Sequence, residues 1–341
     1  MSKTSIKIEN LSTGYHHKKG NYVVAKKLSA DINKGELTCL LGSNAVGKST
    51  LLKTLCGFLP KLEGDIYIEG KNGLEYTPTE LAKTLSVVLT EKINLRNMTV
   101  TDIVSMGRSP YTDFWGRLRK EDKAIVNQAI KHVGIQHLAN RPIQSLSDGE
   151  RQKMMIAKAL AQETAIIILD EPTAFLDYPS KIEMMRLLHD LSRESSKTIF
   201  MSTHDLDLAL QTSDCIWLLN KETGLHVGTP EDLAIEGTLT NFFESPSLDF
   251  NVETGLFGVK SFCNYYIETE GEDGQYKQML KKALLRNHIQ IERAEENLKT
   301  IPCKISVCDN TYIVKTKTQT IKCESIRQVL DTVYSVQQEA I

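Results

Sequence analysis

Apolar and polar positions along the chain fall into two regimes. Up to about residue 217, short β-rich runs alternate with stretches of helical period, the pattern of a parallel sheet flanked by helices. Residues 37–41 (LTCLL) read as a buried strand. A glycine loop follows, then a helix on which Leu51, Leu52, Leu55, Phe58 and Leu59 recur at three- and four-residue spacing. The continuous apolar run 165–169 (AIIIL) marks a central parallel strand covered on both faces. Residues 198–201 (TIFM) begin a further strand. Between about residues 93 and 146 the alternation stops, and TVTDIVSMG and KEDKAIVNQAIKHVG carry helical period instead. That stretch is predicted to be a helical insert.

The second regime begins after the Ser-Pro-Ser at 245–247. Residues 246–341 have the size of a small domain. Strands are predicted at 263–267, 311–315 and 320–323, an amphipathic helix at 276–286 (YKQMLKKALLR), and a last helix at 325–336. The expected organisation is an α/β domain over residues 1–245, with its helical subdomain at about 93–146, and a small α+β accessory domain over 246–341. The tail is read as a regulatory or dimer-stabilising module, because it lies beyond every chemical motif found.

Length and composition agree with this division. At roughly 150 residues per domain, 341 residues suit two domains. The 41 Lys and Arg nearly cancel 43 Asp and Glu, leaving a net charge of -2, so no nucleic-acid partner is expected. The opening MSKTSIKIEN has no apolar core of a signal peptide, and no apolar run nears the roughly 18 residues of a membrane span. A cytoplasmic protein whose membrane role comes through a partner is the expectation. Seven cysteines, an odd number, read as reduced thiols. Cys303, Cys308, Cys263 and Cys323 match no standard zinc spacing and are expected to be buried structural thiols.

The chemistry concentrates in two places. Gly42-Ser43-Asn44-Ala45-Val46-Gly47-Lys48-Ser49-Thr50 satisfies G-x-x-x-x-G-K-[ST] between a strand and a helix. Glycines there let successive amide N–H groups turn inward around a phosphate, and the helix N-terminus adds its positive dipole end. Lys48 suits the β- and γ-phosphates, and Ser49 offers a hydroxyl to Mg²⁺. Asp170-Glu171-Pro172 ends the apolar run 165–169 with two adjacent carboxylates where the chain leaves the sheet. Asp170 suits the Mg²⁺ hydration shell, and Glu171 suits polarising an attacking water.

With these residues in place the chain resembles the ATPase subunit of an ATP-binding-cassette (ABC) transporter over about residues 5–230. Leu146-Ser147-Asp148-Gly149-Glu150 stands in the place of that family's LSGGQ signature, Phe175-Leu176-Asp177 in that of the D-loop, and His204 in that of the switch histidine. Tyr15 stands where the family stacks an aromatic on adenine. The resemblance implies a P-loop NTPase fold, ATP and Mg²⁺ as cofactors, and a head-to-tail homodimer. In it, each ATP lies between one protomer's phosphate loop and Ser147 and Gly149 of the other, with Glu171, His204 and Lys48 catalytic. Ser147 and Glu150 also form an S-x-x-E capping box, which by itself needs no ligand.

Two positions depart from the family pattern. Glu91 replaces the Q-loop glutamine; it accepts but does not donate hydrogen bonds when ionised, and is assigned with Ser49 and Asp170 to the Mg²⁺ shell. Asp148 replaces the first signature glycine and is expected to point outward. Residues 106–111 (MGRSPY) and 170–188 are similar to importers of iron chelates, haem and cobalamin. That likeness implies a permease dimer docked near residues 91–118, a substrate-binding protein acting indirectly, and a peripheral position on the cytoplasmic side of the cell membrane. A soluble ABC ATPase and a nucleotide-gated interaction protein without a permease stand as alternatives.

Overall fold

The computed structural model describes residues 3–18, 20–89, 97–113, 115–243, 248–251, 254–260, 262–271, 273–291, 299–308 and 311–339. The chain divides into two compact units. The first holds residues 1–244 and 250–257, and the second holds 245–249 and 258–341.

The first unit opens with a hairpin of two 14-residue strands, β1 (Thr4–His17) and β2 (Gly20–Asn33). Then come β3 (Leu37–Leu41), α1 (Lys48–Leu55), β4 (Glu63–Ile68), β5 (Lys71–Asn72), α2 (Pro78–Thr84) and β6 (Leu85–Val88). The helical insert supplies α3 (Val100–Ser105), α4 (Lys120–His132) and α5 (Asp148–Ala161). The chain returns through β7 (Ile166–Asp170), α6 (Tyr178–Glu194), β8 (Thr198–Ser202), α7 (Leu206–Thr212), β9 (Cys215–Asn220), β10 (Gly224–Gly228), α8 (Pro230–Ile235) and α9 (Thr238–Phe242).

The main sheet runs β10-β9-β3-β8-β7-β6 and is parallel except for β10. A second sheet, β2-β1-β4-β5, is antiparallel. Strand side chains alternate between faces, and each face of the main sheet has its own core. Leu37, Cys39, Ile167, Leu169, Ile199 and Met201 face the helical layer of α3 to α6. Leu40, Ile166, Ile168 and Phe200 face α1 and the antiparallel sheet, where Ile6, Ile8, Leu51 and Trp217 join them. This double covering is why β7 reads as an unbroken apolar run and why β3 and β8 are buried along their whole length.

Helix α1 stops at Leu55, four residues short of the expected apolar pattern. Gly57 turns left-handed at φ 74, and the Phe58 N–H donates to the Lys53 carbonyl at 2.9 Å, closing the helix end. Phe58 is consequently exposed.

Residues 250–257 belong with the first unit and not with the expected accessory domain of 246–341. The cause is a row of rings: Phe242 lies 4.9 Å from Phe243, Phe243 5.3 Å from Phe257, and Phe250 4.9 Å from Phe257. Strands β11 (Leu248–Asn251) and β12 (Leu256–Val259) pair as a two-stranded sheet.

The second unit contains β13 (Tyr265–Glu270), α10 (Gln275–Arg286), β14 (Ile289–Gln290), β15 (Lys299–Cys308), β16 (Thr311–Thr316), β17 (Thr320–Cys323) and α11 (Ile326–Glu339). Its sheet runs β14-β13-β15-β16-β17, parallel across the first three strands and antiparallel beyond. Ile267, Ile305 and Val314 pack there with Leu280 and Leu284 of α10 and Val329 and Val333 of α11. Cys303 and Cys323 are buried in this core, whereas Cys308 is exposed. The central strand β15 was not predicted. Pro302 lies within it, and the register between β13 and β15 shifts just there, between Tyr266/Thr300 and Glu268/Lys304. Such an irregularity is what admits a proline to an interior strand.

Candidate nucleotide site

The phosphate loop joins β3 to α1. Ala45 and Gly47 are left-handed at φ 59 and 114. A Cβ on Gly47 would stand 2.5 Å from Cγ1 of Val24, so this position tolerates glycine alone. Gly42 is equally constrained, since a Cβ there would reach 2.6 Å from the Leu219 carbonyl. The Val46 side chain is buried in the core and anchors the loop from behind. Lys48 Nζ donates to the carbonyls of Gly42 at 2.8 Å and Ser43 at 3.2 Å. Burial of this ammonium lowers its pKa, and the carboxylates of Glu171 and Asp170 oppose that effect.

The loop opens on a cleft of about 1130 Å³ lined by Tyr15, Asn44, Ala45, Gly47, Lys48, Ser49, Thr50, Glu171 and His204, and also by Tyr22 and residues 220–225. Gly42, Ser43 and Asn44 also line a smaller neighbouring pocket with His204. Tyr15 is partly exposed, and its hydroxyl lies 3.4 Å from Thr50 Oγ1, which sets the ring beside the first turn of α1. Tyr22 pairs directly opposite it on β2.

The parallel register of β7 and β8 carries the acidic strand end to this cleft. Asp170 is buried, accepting from Ser49 Oγ at 3.2 Å and from Ser202 Oγ at 2.6 Å. Glu171 follows in a left-handed conformation at φ 51, uncommon outside glycine, which swings its side chain off the strand line. Its N–H donates to Ser202 Oγ at 3.0 Å. Oε1 of Glu171 lies 2.6 Å from Nε2 of His204. A carboxylate so placed beside an imidazole is suited to accept a proton at the edge of the cleft.

The structure thus brings together Lys48, Ser49, Asp170, Glu171 and His204, and places Tyr15 at the cleft wall. It does not bring Ser147 or Gly149 to this cleft. They lie at the start of α5, where Ser147 Oγ accepts the Glu150 N–H at 3.2 Å and Glu150 Oε2 accepts the Ser147 N–H at 2.8 Å. Asp148 is exposed there. Glu91 lies outside the described residues. Ser202, Thr173, Asp205 and Lys181 also bear on the site, and no motif marks them. Their contacts are tertiary, and no spacing rule announces them.

A family model described as ABC transporter matches residues 25–174. An uncharacterised ABC transporter ATP-binding protein of Methanocaldococcus jannaschii is 41% identical, covering 75% of this chain and 87% of its own. The iron(3+)-hydroxamate import ATP-binding protein FhuC of Bacillus subtilis is 36% identical, over 77% of this chain and 95% of its own. Among solved structures, a metal-chelate type ABC transporter in an inward-facing conformation superposes with a TM-score of 0.62 at 30% identity, over 75% of this chain and 95% of that one. Among the described residues no helix is long and apolar enough to cross a membrane. The phosphate loop, the acidic strand end facing His204 and the extent of these likenesses converge: the chain belongs to the ABC transporter ATP-binding family, a P-loop ATPase that binds ATP.

Proposed function

We propose that this chain is the ATP-hydrolysing subunit of an importer for iron chelates of the siderophore class. The contact between Glu171 and His204, set against Lys48 across one cleft, carries the hydrolytic part of the reading. The names and coverage of the relatives support the transport part.

In this reading Tyr15 stacks on adenine, and residues 42–50 wrap the phosphates with Lys48 supplying positive charge to the β- and γ-phosphates. The donors near the loop are a hydroxyl and a carboxylate 3.2 Å apart, Ser49 and Asp170. Among the described residues no group of three or more His, Cys, Asp or Glu is arranged to hold a metal alone. That set fits Mg²⁺, which takes few protein ligands beside nucleotide phosphates and water. Bound there, Mg²⁺ neutralises charge that develops on the phosphates. Glu171 accepts the proton of the attacking water, and His204 holds the carboxylate in place. Ser147 and Gly149 serve the cleft of a second copy in a head-to-tail homodimer, which the capped, exposed start of α5 permits.

The dimer sits on the cytoplasmic side of the membrane against a permease dimer, with the insert around residues 91–118 as the docking element. A substrate-binding protein delivers the chelate from the other side. Deleting the gene and following uptake of iron-55 as a ferric hydroxamate tests this reading. Uptake should fall to the passive level and return with the parent gene but not with Glu171→Gln. Unchanged uptake of every iron chelate tried would defeat it.

A further inference from the structure

The four residues that close β8 and begin the next loop, Ser202-Thr203-His204-Asp205, mate with the four that close β7, Asp170-Glu171-Pro172-Thr173. Ser202 holds Asp170 and the backbone of Glu171. Thr203 Oγ1 lies 3.5 Å from Thr173 Oγ1. His204 meets Glu171. Asp205 completes the series: its Oδ2 accepts from Thr173 Oγ1 at 2.7 Å. Its other oxygen, Oδ1, accepts from Lys181 Nζ, also at 2.7 Å. The Asp205 N–H donates to Thr203 Oγ1 at 3.0 Å, which braces the backbone of this residue on its own loop.

Lys181 belongs to the first turn of α6. Its N–H donates to the carbonyl of Asp177, whose carboxylate caps the helix by accepting the Ser180 N–H at 3.1 Å. The Asp205 carboxylate therefore joins three segments: through Thr173 the loop carrying Glu171, through its own backbone the loop carrying His204, and through Lys181 the first turn of α6. Thr173 is buried, and the two charged side chains are each about three-quarters shielded. Charge-assisted bonds of this length in partial burial hold geometry better than exposed pairs do. Neither Asp205 nor Lys181 lines the cleft.

We infer that Asp205, held by Lys181, is a positioning residue for ATP hydrolysis. It fixes the His204 loop against the Glu171 loop, and it ties the approach of His204 and Glu171 to the first turn of α6. The inference rests on the roles of Glu171 and His204 proposed above. Geometry at a reacting group is worth much in rate, because a displacement of about 1 Å costs up to roughly a hundredfold.

The test uses the full-length chain and its basal ATPase activity. Lys181→Met removes the ion pair, Lys181→Arg rebuilds it, and Asp205→Asn keeps an acceptor for Thr173 while dropping the charge. Lys181→Met and Asp205→Asn should each lower kcat by about ten- to a hundredfold, with the ATP dissociation constant within about twofold of the parent. Lys181→Arg should recover most of the rate. An unchanged kcat in Lys181→Met overturns the inference. So does a loss of ATP binding in step with kcat, or a Lys181→Arg variant as slow as Lys181→Met, because either result describes a general structural role. If Asp205→Asn does not fold, the two Lys181 variants decide alone. Glu171→Gln, assayed beside them, separates the two readings. Normal turnover there removes the assigned base itself, whereas a slow Glu171→Gln beside a normal Lys181→Met removes only this inference.

Discussion

Arg108 Nε donates to Asp122 Oδ1 at 2.9 Å, in a contact where both side chains are buried. The same guanidinium donates to the Ala161 carbonyl at 2.8 Å and to Glu163 at 2.7 Å, and lies 4.1 Å from the Tyr111 ring centre. It thereby fastens the short turn after α3 both to α4 and to the end of α5. Gly107 allows the approach, since a Cβ there would stand 2.3 Å from the Lys158 carbonyl. Arg108→Ala removes this charge-assisted bond, although Asp122 keeps the Arg119 N–H, and should destabilise the first unit by roughly 1 to 3 kcal/mol. The urea midpoint of the variant against the parent measures this. An unchanged midpoint would mean that the insert holds without the pair.

Glu171→Gln should bind ATP normally and hydrolyse it at least roughly a hundredfold more slowly, the scale of losing a general base. Trapped ATP should then accumulate with a dimer, visible by light scattering. Near-parental turnover counts against Glu171 as the base.

Lys48→Ala should lose most ATP affinity while staying folded, because alanine favours the helix that begins at this residue. Circular dichroism and a nucleotide titration together check it. A folded variant with the parental dissociation constant would contradict the assigned role of the loop.

Cysteine reactivity should follow burial. Burial pushes the thiols of Cys39 and Cys56 up to about 12, and those of Cys215 and Cys303 up to about 11. The thiolate is the reactive form, so at pH 8 these four stay protonated and inert. Exposed Cys308 should take iodoacetamide first, with the buried thiols following only on unfolding. Peptide mass mapping after brief labelling reads the order, and early modification of Cys39 would refute it.

Where the chain is cut should decide whether a shortened ATPase survives. A version ending at Phe257 retains the packing of Phe243 with Phe257 and of Phe257 with Phe250. A version ending at Glu244 loses both, at about 1 kcal/mol or more from the ring pairs alone. The longer form should fold and hydrolyse ATP with the higher melting temperature. Equal melting temperatures would show that these rings contribute nothing. A change in dimer mass or basal rate on removing the second unit would support its regulatory role.

The site was legible in the sequence wherever its geometry is local. Residues 42–50 announce themselves because a loop that wraps an anion needs glycines at fixed spacing, and the carboxylates of 170–171 because an apolar strand ended on them. The network of Ser202, Thr173, Asp205 and Lys181 was not legible, because β7 and β8 are brought together by the sheet alone. Arg108 stands in the segment 106–111 that is similar to metal-chelate importers, and nothing local shows that its buried side chain lies between Asp122 and Glu163. The hairpin of β1 and β2 went unread, as did β15. Register shifts interrupt the alternation of β1 and β2, and Pro302 disguises β15.

The place of β3 at the middle of the main sheet has a consequence for biosynthesis. Its partners are β8 and β9, so Leu37 pairs with Ile199 and Thr38 with Cys215. At usual translation speeds β8 leaves the ribosome roughly ten to thirty seconds after β3. Throughout that interval the strand before the phosphate loop has both edges open. The nascent chain is therefore at its most vulnerable to aggregation between these two moments. A pause in translation within that window should do more harm to yield than one placed after β9.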